Sequence, residues 1–431
     1  MTSSAARRIC ADRTLVAFLV CLHALGVMGV SATLSKSKSQ APAQQQTTAQ
    51  QPETLDSLRG RIAAHMAQAR FAPAAWGVKI VSLETGKTLF EHNPEKYFNP
   101  ASNAKLYTAA LALDRLGVDY RIKTSLYSTA RPDASGTLKA DLIVYGRGDP
   151  TMAARLNGGD YFKGIEPLIT QLVNAGVRRI EGDLVGDESY FAGPPFGSGW
   201  EWDDLQAYYG AEVSALTIDD NALDLFVKPA DRSGIPCRIT TGPPTSFVTV
   251  INRTQTSPKG TESRIVVYRP VGENIIYVSG RLPIDSSGYY SSVAVHNPAG
   301  LFVSLLKVAL AQRGIAVTGR TRVIDWKYRE VTPLDLTKLI ELGSVDSMPL
   351  ADIVRETLKP SQNLYAQLLL LQVGSNAGLG LGVGGRRGVD EKSRSASGDR
   401  SPQPLTLNPQ PPTPSPRRPI PIRRPKKRAS K

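Results

Sequence analysis

Apolar periodicity runs from about Thr54 to about Ser375 and then stops, so only residues 54–375 can build a core. Beyond Ser375 a Gly-rich stretch, 378–388, leads into a Ser/Pro/Arg sequence ending RRPIPIRRPKKRASK, with no periodic apolar position after Leu407. Such a composition cannot bury enough apolar surface to offset chain entropy, and residues 376–431 are predicted to be a disordered basic tail. Residues 33–53, rich in Gln, Ser and Ala, are read in the same way as a polar linker. The part between is long enough for one large domain with insertions, or for two to three domains.

Charge follows the same division. The formal net charge is +14, but residues 377–431 hold thirteen Lys/Arg against three Asp/Glu and so carry +10 of it. Arg7, Arg8 and Arg13 against Asp12 add +2, which leaves about +2 for everything between. A nearly neutral body does not indicate a nucleic-acid-binding core. Leu15–Ala32 (LVAFLVCLHALGVMGVSA) is apolar, uncharged, preceded by arginines and closed by Val30-Ser31-Ala32. This is the pattern of a secretory signal peptide over residues 1–32, and an uncleaved anchor is the alternative. Either way the body is expected outside the cytoplasmic membrane, in the periplasm. Cys10 and Cys21 fall in this leader, so Cys237 would be left without a disulfide partner and is expected to be a small buried apolar residue.

Within the body, Leu55, Leu58, Ile62 and Met66 mark one helical face. Residues 76–83 and 87–90 read as a β-hairpin around Glu84-Thr85-Gly86. A helix is predicted from Ser102 to about Leu116, and short strands and turns from Tyr120 to about Arg320, among them 142–145 and 265–268. Helices return over 301–313, 351–358 and 363–372.

Two short patterns could carry chemistry. Ser102 and Lys105 stand three apart at the head of a helix and therefore on one face, so the amine can reach the hydroxyl. A serine hydroxyl is a poor nucleophile until a base takes its proton, and a lysine serves only if its pKa is lowered enough to expose a lone pair. The helix N-terminus adds N–H groups and a positive dipole end that favour developing negative charge. The pattern is weak alone: Ser35 and Lys38 in the linker share it, and Ser102 could be an ordinary N-cap. The second pattern is Lys359-Pro360-Ser361-Gln362-Asn363, in a break between two helices. Ser361 could relay a proton to a leaving amine, and Asn363 could hold Lys105 or a substrate amide. Capping of the following helix is the plain alternative for both. A Ser-x-x-Lys followed by a Ser-x-Asn between helices is more specific than either pattern alone.

With these motifs, the stretches LIVYGRGDPTM (142–152), EGDLVGDESYF (181–191), GWEWDDLQAYYGAEVSALTIDDNAL (199–223) and ETLKPSQNLYAQLLL (356–370) resemble the D-alanyl-D-alanine carboxypeptidase/endopeptidase family, the low-molecular-mass class C penicillin-binding proteins. The resemblance covers roughly residues 54–375. It implies an α/β (α+β) penicillin-recognising transpeptidase/β-lactamase-like domain, its first part at 54–124 and its second at 296–375, with a β-rich insertion at 125–295. It further implies that Ser102 forms an acyl-enzyme on peptidoglycan peptides ending in D-Ala-D-Ala, with Lys105 as base and Ser361 and Asn363 completing the proton network. β-Lactams would be covalent inhibitors.

One departure stands out. The family carries a third motif, Lys-Thr-Gly or similar, on a strand after the Ser-x-Asn helix, and no such tripeptide occurs in this chain. A frameshifted or truncated end is the favoured reading of the change near Ser375, with loss of sheet strands and of the apolar cover of helix 364–371 as the expected consequence. A non-catalytic envelope scaffold is the alternative function. A β-lactamase fits less well, because of the long insertion. No cofactor is implied: His23, His65, His92 and His296 are scattered without ligand spacing, and the Gly-rich 378–388 neither follows a strand nor opens a helix. No nucleic-acid partner is expected, while the basic tail could touch a membrane surface or an anionic polymer.

Overall fold

The computed structural model describes residues 54–377, in two compact units that meet in sequence at Phe98 and Asn99. The expected leader, linker and tail lie outside the described residues.

The first unit holds helix α1 (Leu55–Met66) and an antiparallel hairpin of Val78–Val81 with Thr88–His92. Thr54 caps α1 by accepting the Ser57 N–H, and Leu58, Ile62 and Met66 form its half-buried face. The hairpin turn closes at Gly86, whose φ of 70° is the left-handed conformation that glycine adopts without penalty. Arg59 Nε, on α1, donates to the Leu89 carbonyl at 2.6 Å and pins the helix to the hairpin.

The second unit is organised by a five-stranded mixed sheet. Its order is Thr321–Ile324, Leu184–Asp187, Leu142–Tyr145, Lys123–Ser128, Ile340–Asp346, the first three strands parallel and the last two joined antiparallel. Parallel neighbours need a crossover. Between Leu142–Tyr145 and Leu184–Asp187 the crossover holds helix α3 (Glu166–Asn174), which follows α2 (Ala104–Leu116) in the chain. The sequence reading of short strands and turns across 120–320 passed over α3. Leu168, Ile169 and Leu172 of α3 are fully buried with Leu126, Leu142, Val144 and Leu184 of the sheet. Helix α4 (Pro298–Gln312) adds Leu301, Phe302, Leu305 and Leu306 to the same core. Each fully buried Leu or Phe there contributes about 1.5–3 kcal/mol. Strands Ala222–Lys228, Arg238–Gly242 and Tyr289–Ala294 form an antiparallel sheet, and Thr249–Ser257, Arg264–Tyr268 and Ile275–Pro283 another three-stranded one. Cys237 is a buried free thiol among them.

After α5 (Trp326–Val331), helices α6 (Leu350–Leu358) and α7 (Asn363–Asn376) pack against α2. Ala109 and Ala112 let α2 approach closely, and Leu350 and Ile353 of α6 meet Leu364, Tyr365, Leu368 and Leu369 of α7 in one buried cluster. The expected loss of apolar cover on 364–371 is therefore not what the fold shows. These residues are covered by α2 and α6, and Leu370 is the apolar residue of that stretch left exposed.

Candidate active site

Ser102 sits in the 3₁₀ turn Ala101–Asn103, immediately before α2, rather than in the α-helix itself. The turn is entered through Ala101 at φ 44°, and Asn99 Oδ1 accepts the Ala101 N–H at 3.0 Å. A non-glycine residue in this region carries local strain that the surroundings must hold, and such residues cluster at functional sites. Three residues on, Lys105 Nζ lies 3.2 Å from Ser102 Oγ. Lys105 is only 9% exposed, whereas Ser102 faces solvent. Burial lowers the Lys105 pKa, because desolvation penalises the ammonium form. Among the described residues no ion pair involves Lys105, so nothing restores its charge by pairing. The shift is toward the neutral amine, and the group lies within hydrogen-bond distance of the Ser102 hydroxyl.

Ser361 arrives from the far end of the sequence. Helix α6 ends with the Ser361 N–H on the Leu358 carbonyl (3.3 Å) and the Gln362 N–H on the Thr357 carbonyl (2.9 Å). This is a Schellman closure, with Ser361 at φ 60° in the left-handed position that glycine usually takes. A side chain is therefore carried where the backbone would prefer none. That hydroxyl donates to Ser102 Oγ at 2.7 Å. Ser102, Lys105 and Ser361 form one hydrogen-bonded chain. Asn363 does not join it directly: as the first residue of α7 it donates its side-chain amide to the Tyr209 carbonyl at 2.8 Å. The suggested Asn363–Lys105 bond is absent from the hydrogen bonds of the described residues.

What holds the Ser361 turn was not singled out from sequence. Asp220 Oδ2 accepts from Arg155 Nε at 2.8 Å and from Gln362 Nε2 at 2.9 Å. Its Oδ1 lies 2.8 Å from the Tyr365 hydroxyl, which also reaches the Pro150 carbonyl at 2.7 Å. Arg155 Nη1 extends to Glu356 on α6 at 3.0 Å, and its guanidinium lies over the Tyr365 ring at 4.8 Å. Both helices that flank Ser361 are thereby tied to residues 150–155 and 220. Burial pushes the Tyr365 hydroxyl well above its ordinary pKa, which keeps it a proton donor to Asp220. Pro150 and Asp220 lie in two stretches that carried the family resemblance and Arg155 lies three residues beyond the first, but no short pattern marks them. Tyr209 contributes a backbone carbonyl, which no side-chain pattern reveals. Among the described residues no group of three His, Cys, Asp or Glu is arranged to hold a metal ion.

Residues 58–383 match the D-Ala-D-Ala carboxypeptidase 3 (S13) family. The D-alanyl-D-alanine carboxypeptidase of Actinomadura sp. (strain R39) is 31% identical over 348 residues, which cover 78% of this chain and 61% of that protein. The chain thus spans about three fifths of the length of this curated relative. The crystal structure of penicillin binding protein 4 (dacB) from Haemophilus influenzae superposes with a TM-score of 0.59 at 24% identity, covering 71% of this chain and 64% of that one. The same protein complexed with a novel β-lactam gives a TM-score of 0.53 at 22% identity, over 70% and 62%. These likenesses establish a shared fold. The match that runs through α2, α6 and α7 and takes in the whole hydrogen-bonded serine–lysine–serine chain makes this protein a member of the D-Ala-D-Ala carboxypeptidase 3 (S13) family.

Proposed function

We propose that the chain is a serine-type D-Ala-D-Ala carboxypeptidase/endopeptidase of peptidoglycan, acylated at Ser102. The observation that carries the reading is that Ser102 Oγ lies within hydrogen-bond distance of both Lys105 Nζ and Ser361 Oγ. In its neutral form Lys105 accepts the Ser102 proton as Oγ attacks the carbonyl of the penultimate D-alanine. The Oγ–C bond forms, the C–N bond to the terminal residue breaks, and the proton passes through Lys105 and the Ser361 hydroxyl to the departing amine. Water then cleaves the ester by the reverse proton path. Asn363, held by Tyr209, positions the substrate amide. A β-lactam would enter by the same attack and stay as the acyl group, and the β-lactam complex of the Haemophilus influenzae protein supports that reading.

The apolar leader Leu15–Ala32 supports export to the periplasm, and no helix of the described residues is long and apolar enough to cross a membrane. Peripheral contact of the basic tail with an anionic surface belongs to the same proposal.

The test is a fluorescent penicillin on the full chain, with released D-alanine measured in parallel on a D-Ala-D-Ala peptide. Labelling that disappears in Ser102→Ala, together with release of D-alanine, is the expected result. A folded chain that takes no label and releases nothing would instead support a non-catalytic scaffold.

A further inference from the structure

In the sheet of Thr249–Ser257, Ile275–Pro283 and Arg264–Tyr268, the strand Ile275–Pro283 lies in the middle, parallel to the first and antiparallel to the last. Successive side chains on a strand point to opposite faces. Val250, Val267 and Val278 pack on the core side. The alternation then puts Arg253, Arg264 and Arg281 on the outer face, together with Val266, Tyr268 and Tyr277. All three arginines are exposed, and among the described residues none donates a hydrogen bond from its side chain.

Their placement is unfavourable for an isolated fold. Arg264 and Arg281 are direct register partners on neighbouring strands, and like charges so placed destabilise a sheet. The carboxylate that pairs with either of them among the described residues is Glu262, which is 79% exposed and reaches Arg281 at 4.0 Å. An exposed pair of that length offsets little. Arg253 lies across the middle strand, opposite Ser279, with its guanidinium over the Tyr277 ring at 5.4 Å. Stacking of that kind orients the guanidinium and leaves its N–H donors unspent. One charged side chain from each strand thus forms a line across the sheet, on a body that is nearly neutral overall. An anion outside the fold would relieve the repulsion.

The same face is also apolar. Tyr268 and Tyr277 are register partners with stacked rings, 6.3 Å apart at 28°. Tyr268 is 49% exposed and Val266 48%. An open sheet face has no walls to enclose a small anion, so its partner is extended. A soluble polyanion would meet the arginines and leave Val266 and Tyr268 in water. An anionic bilayer accounts for both: arginines reach the lipid phosphates, while aromatic and aliphatic side chains settle at headgroup level. We propose that this sheet face docks on the anionic headgroups of a lipid bilayer. The contact belongs to the folded body, is distinct in sequence from the basic tail, and does not depend on the peptidase reading.

The test is phenylglyoxal footprinting of the full chain, with each arginine read separately by mass spectrometry. The chain is mixed at subsaturating lipid with vesicles of phosphatidylcholine, or of phosphatidylcholine with phosphatidylglycerol. Because the reading is made residue by residue, binding through the tail does not mask it. The mixed vesicles should slow modification of Arg253, Arg264 and Arg281 severalfold, phosphatidylcholine alone should not, and Arg115 on α2 should stay reactive. Replacing the opposed pair, Arg264→Thr with Arg281→Thr, should reduce the protection of Arg253 by about tenfold or more, since each cation at an anionic surface is worth roughly fivefold in affinity. Threonine suits a strand and the change removes a like-charge pair, so the variant should fold, as circular dichroism will show. No protection by mixed vesicles, equal protection by phosphatidylcholine alone, or Arg253 protection unchanged in the double variant would overturn the proposal. Equal protection by soluble polyphosphate would also overturn it, and would assign the face to a soluble polyanion.

Discussion

The Ser361 hydroxyl donates a 2.7 Å hydrogen bond to Ser102 Oγ across 259 residues of sequence. Both ends of this contact are set by left-handed backbone, Ala101 just before Ser102 and Ser361 itself. With Ser361 donating, the Ser102 proton is free to face Lys105, so the contact also orients the proposed nucleophile. Strain of this kind persists only where the surroundings over-determine it. Here the Arg155–Asp220–Tyr365 group and the α2–α6–α7 cluster do so.

The strain at Ser361 can be measured apart from its chemistry. Ser361→Ala and Ser361→Gly both remove the hydroxyl, and both should slow acylation by about 10²–10⁴-fold, the usual size of a lost proton-transfer group. They should differ in stability: glycine accepts φ 60° freely while alanine does not, so the glycine variant should be about 1 kcal/mol the more stable. Chemical denaturation of the pair reads that difference. Equal stabilities would mean that the left-handed conformation is not enforced at this position.

The rate of acylation should rise with pH through the Lys105 pKa, which burial holds below the ordinary lysine value of 10.5. In the proposed mechanism the neutral amine is the active form, so activity is gained as the proton leaves. Lys105→Arg keeps the charge at every accessible pH and cannot act as base. Stopped-flow acylation by a chromogenic β-lactam should therefore give an ascending limb for the parent and a low, flat profile for the variant. An unchanged limb in the arginine variant would remove Lys105 from the base role.

Much of this was legible in the sequence because it is local. The hairpin at 78–92, the strand at 142–145 and helices near 301–313, 351–358 and 363–372 follow from periodicity and from Gly and Pro punctuation. The i, i+3 spacing of Ser102 and Lys105 follows from helix geometry. Helix α3 escaped because it sits amid short strands, and only the parallel pairing of Leu142–Tyr145 with Leu184–Asp187 demands it. The Asp220 group escaped for a different reason. Arg155, Asp220, Glu356 and Tyr365 meet only after the chain folds, and each alone is an ordinary polar or aromatic residue.

Asp187 ends a central strand with no solvent exposure and is held by Arg329, whose Nε and Nη2 donate to its Oδ2 at 3.0 and 2.5 Å. Removing one partner of such a pair leaves the other charge buried without compensation, at a cost of about 3–5 kcal/mol. Arg329→Met should therefore lower the unfolding free energy by that amount. Adding Asp187→Leu to it should recover part of the loss, since a buried pair replaced by apolar residues of similar volume is often neutral. Urea titrations of the single and double variants give both values. A loss below about 1 kcal/mol in the single variant, the range of an exposed pair, would mean that water reaches Asp187.

Glu188 makes stability depend on pH. Its carboxyl is pushed up to about 7, chiefly by burial and further by Asp325, Glu212 and Asp187. The local geometry agrees: Ser214 Oγ lies 2.5 Å from Glu188 Oε2 and 2.9 Å from the Leu216 carbonyl, and its one proton can serve only one of them. A protonated Glu188 resolves the conflict by donating to Ser214 while Ser214 donates to Leu216. Unfolded, the same carboxyl titrates near 4.5. Between these values the folded chain holds a proton that the unfolded chain has lost, so raising the pH destabilises the fold. The contribution is fully present below about 4.5 and is lost as pH passes 7. Burial raises Asp149 to about 6 and Asp219 to about 8, which extends the decline in the same direction. Thermal midpoints should thus fall from pH 5 to pH 8, and Glu188→Gln, which keeps the shape and never ionises, should make the slope shallower. A slope identical in the two proteins would show that Glu188 is ionised in the folded state throughout that range.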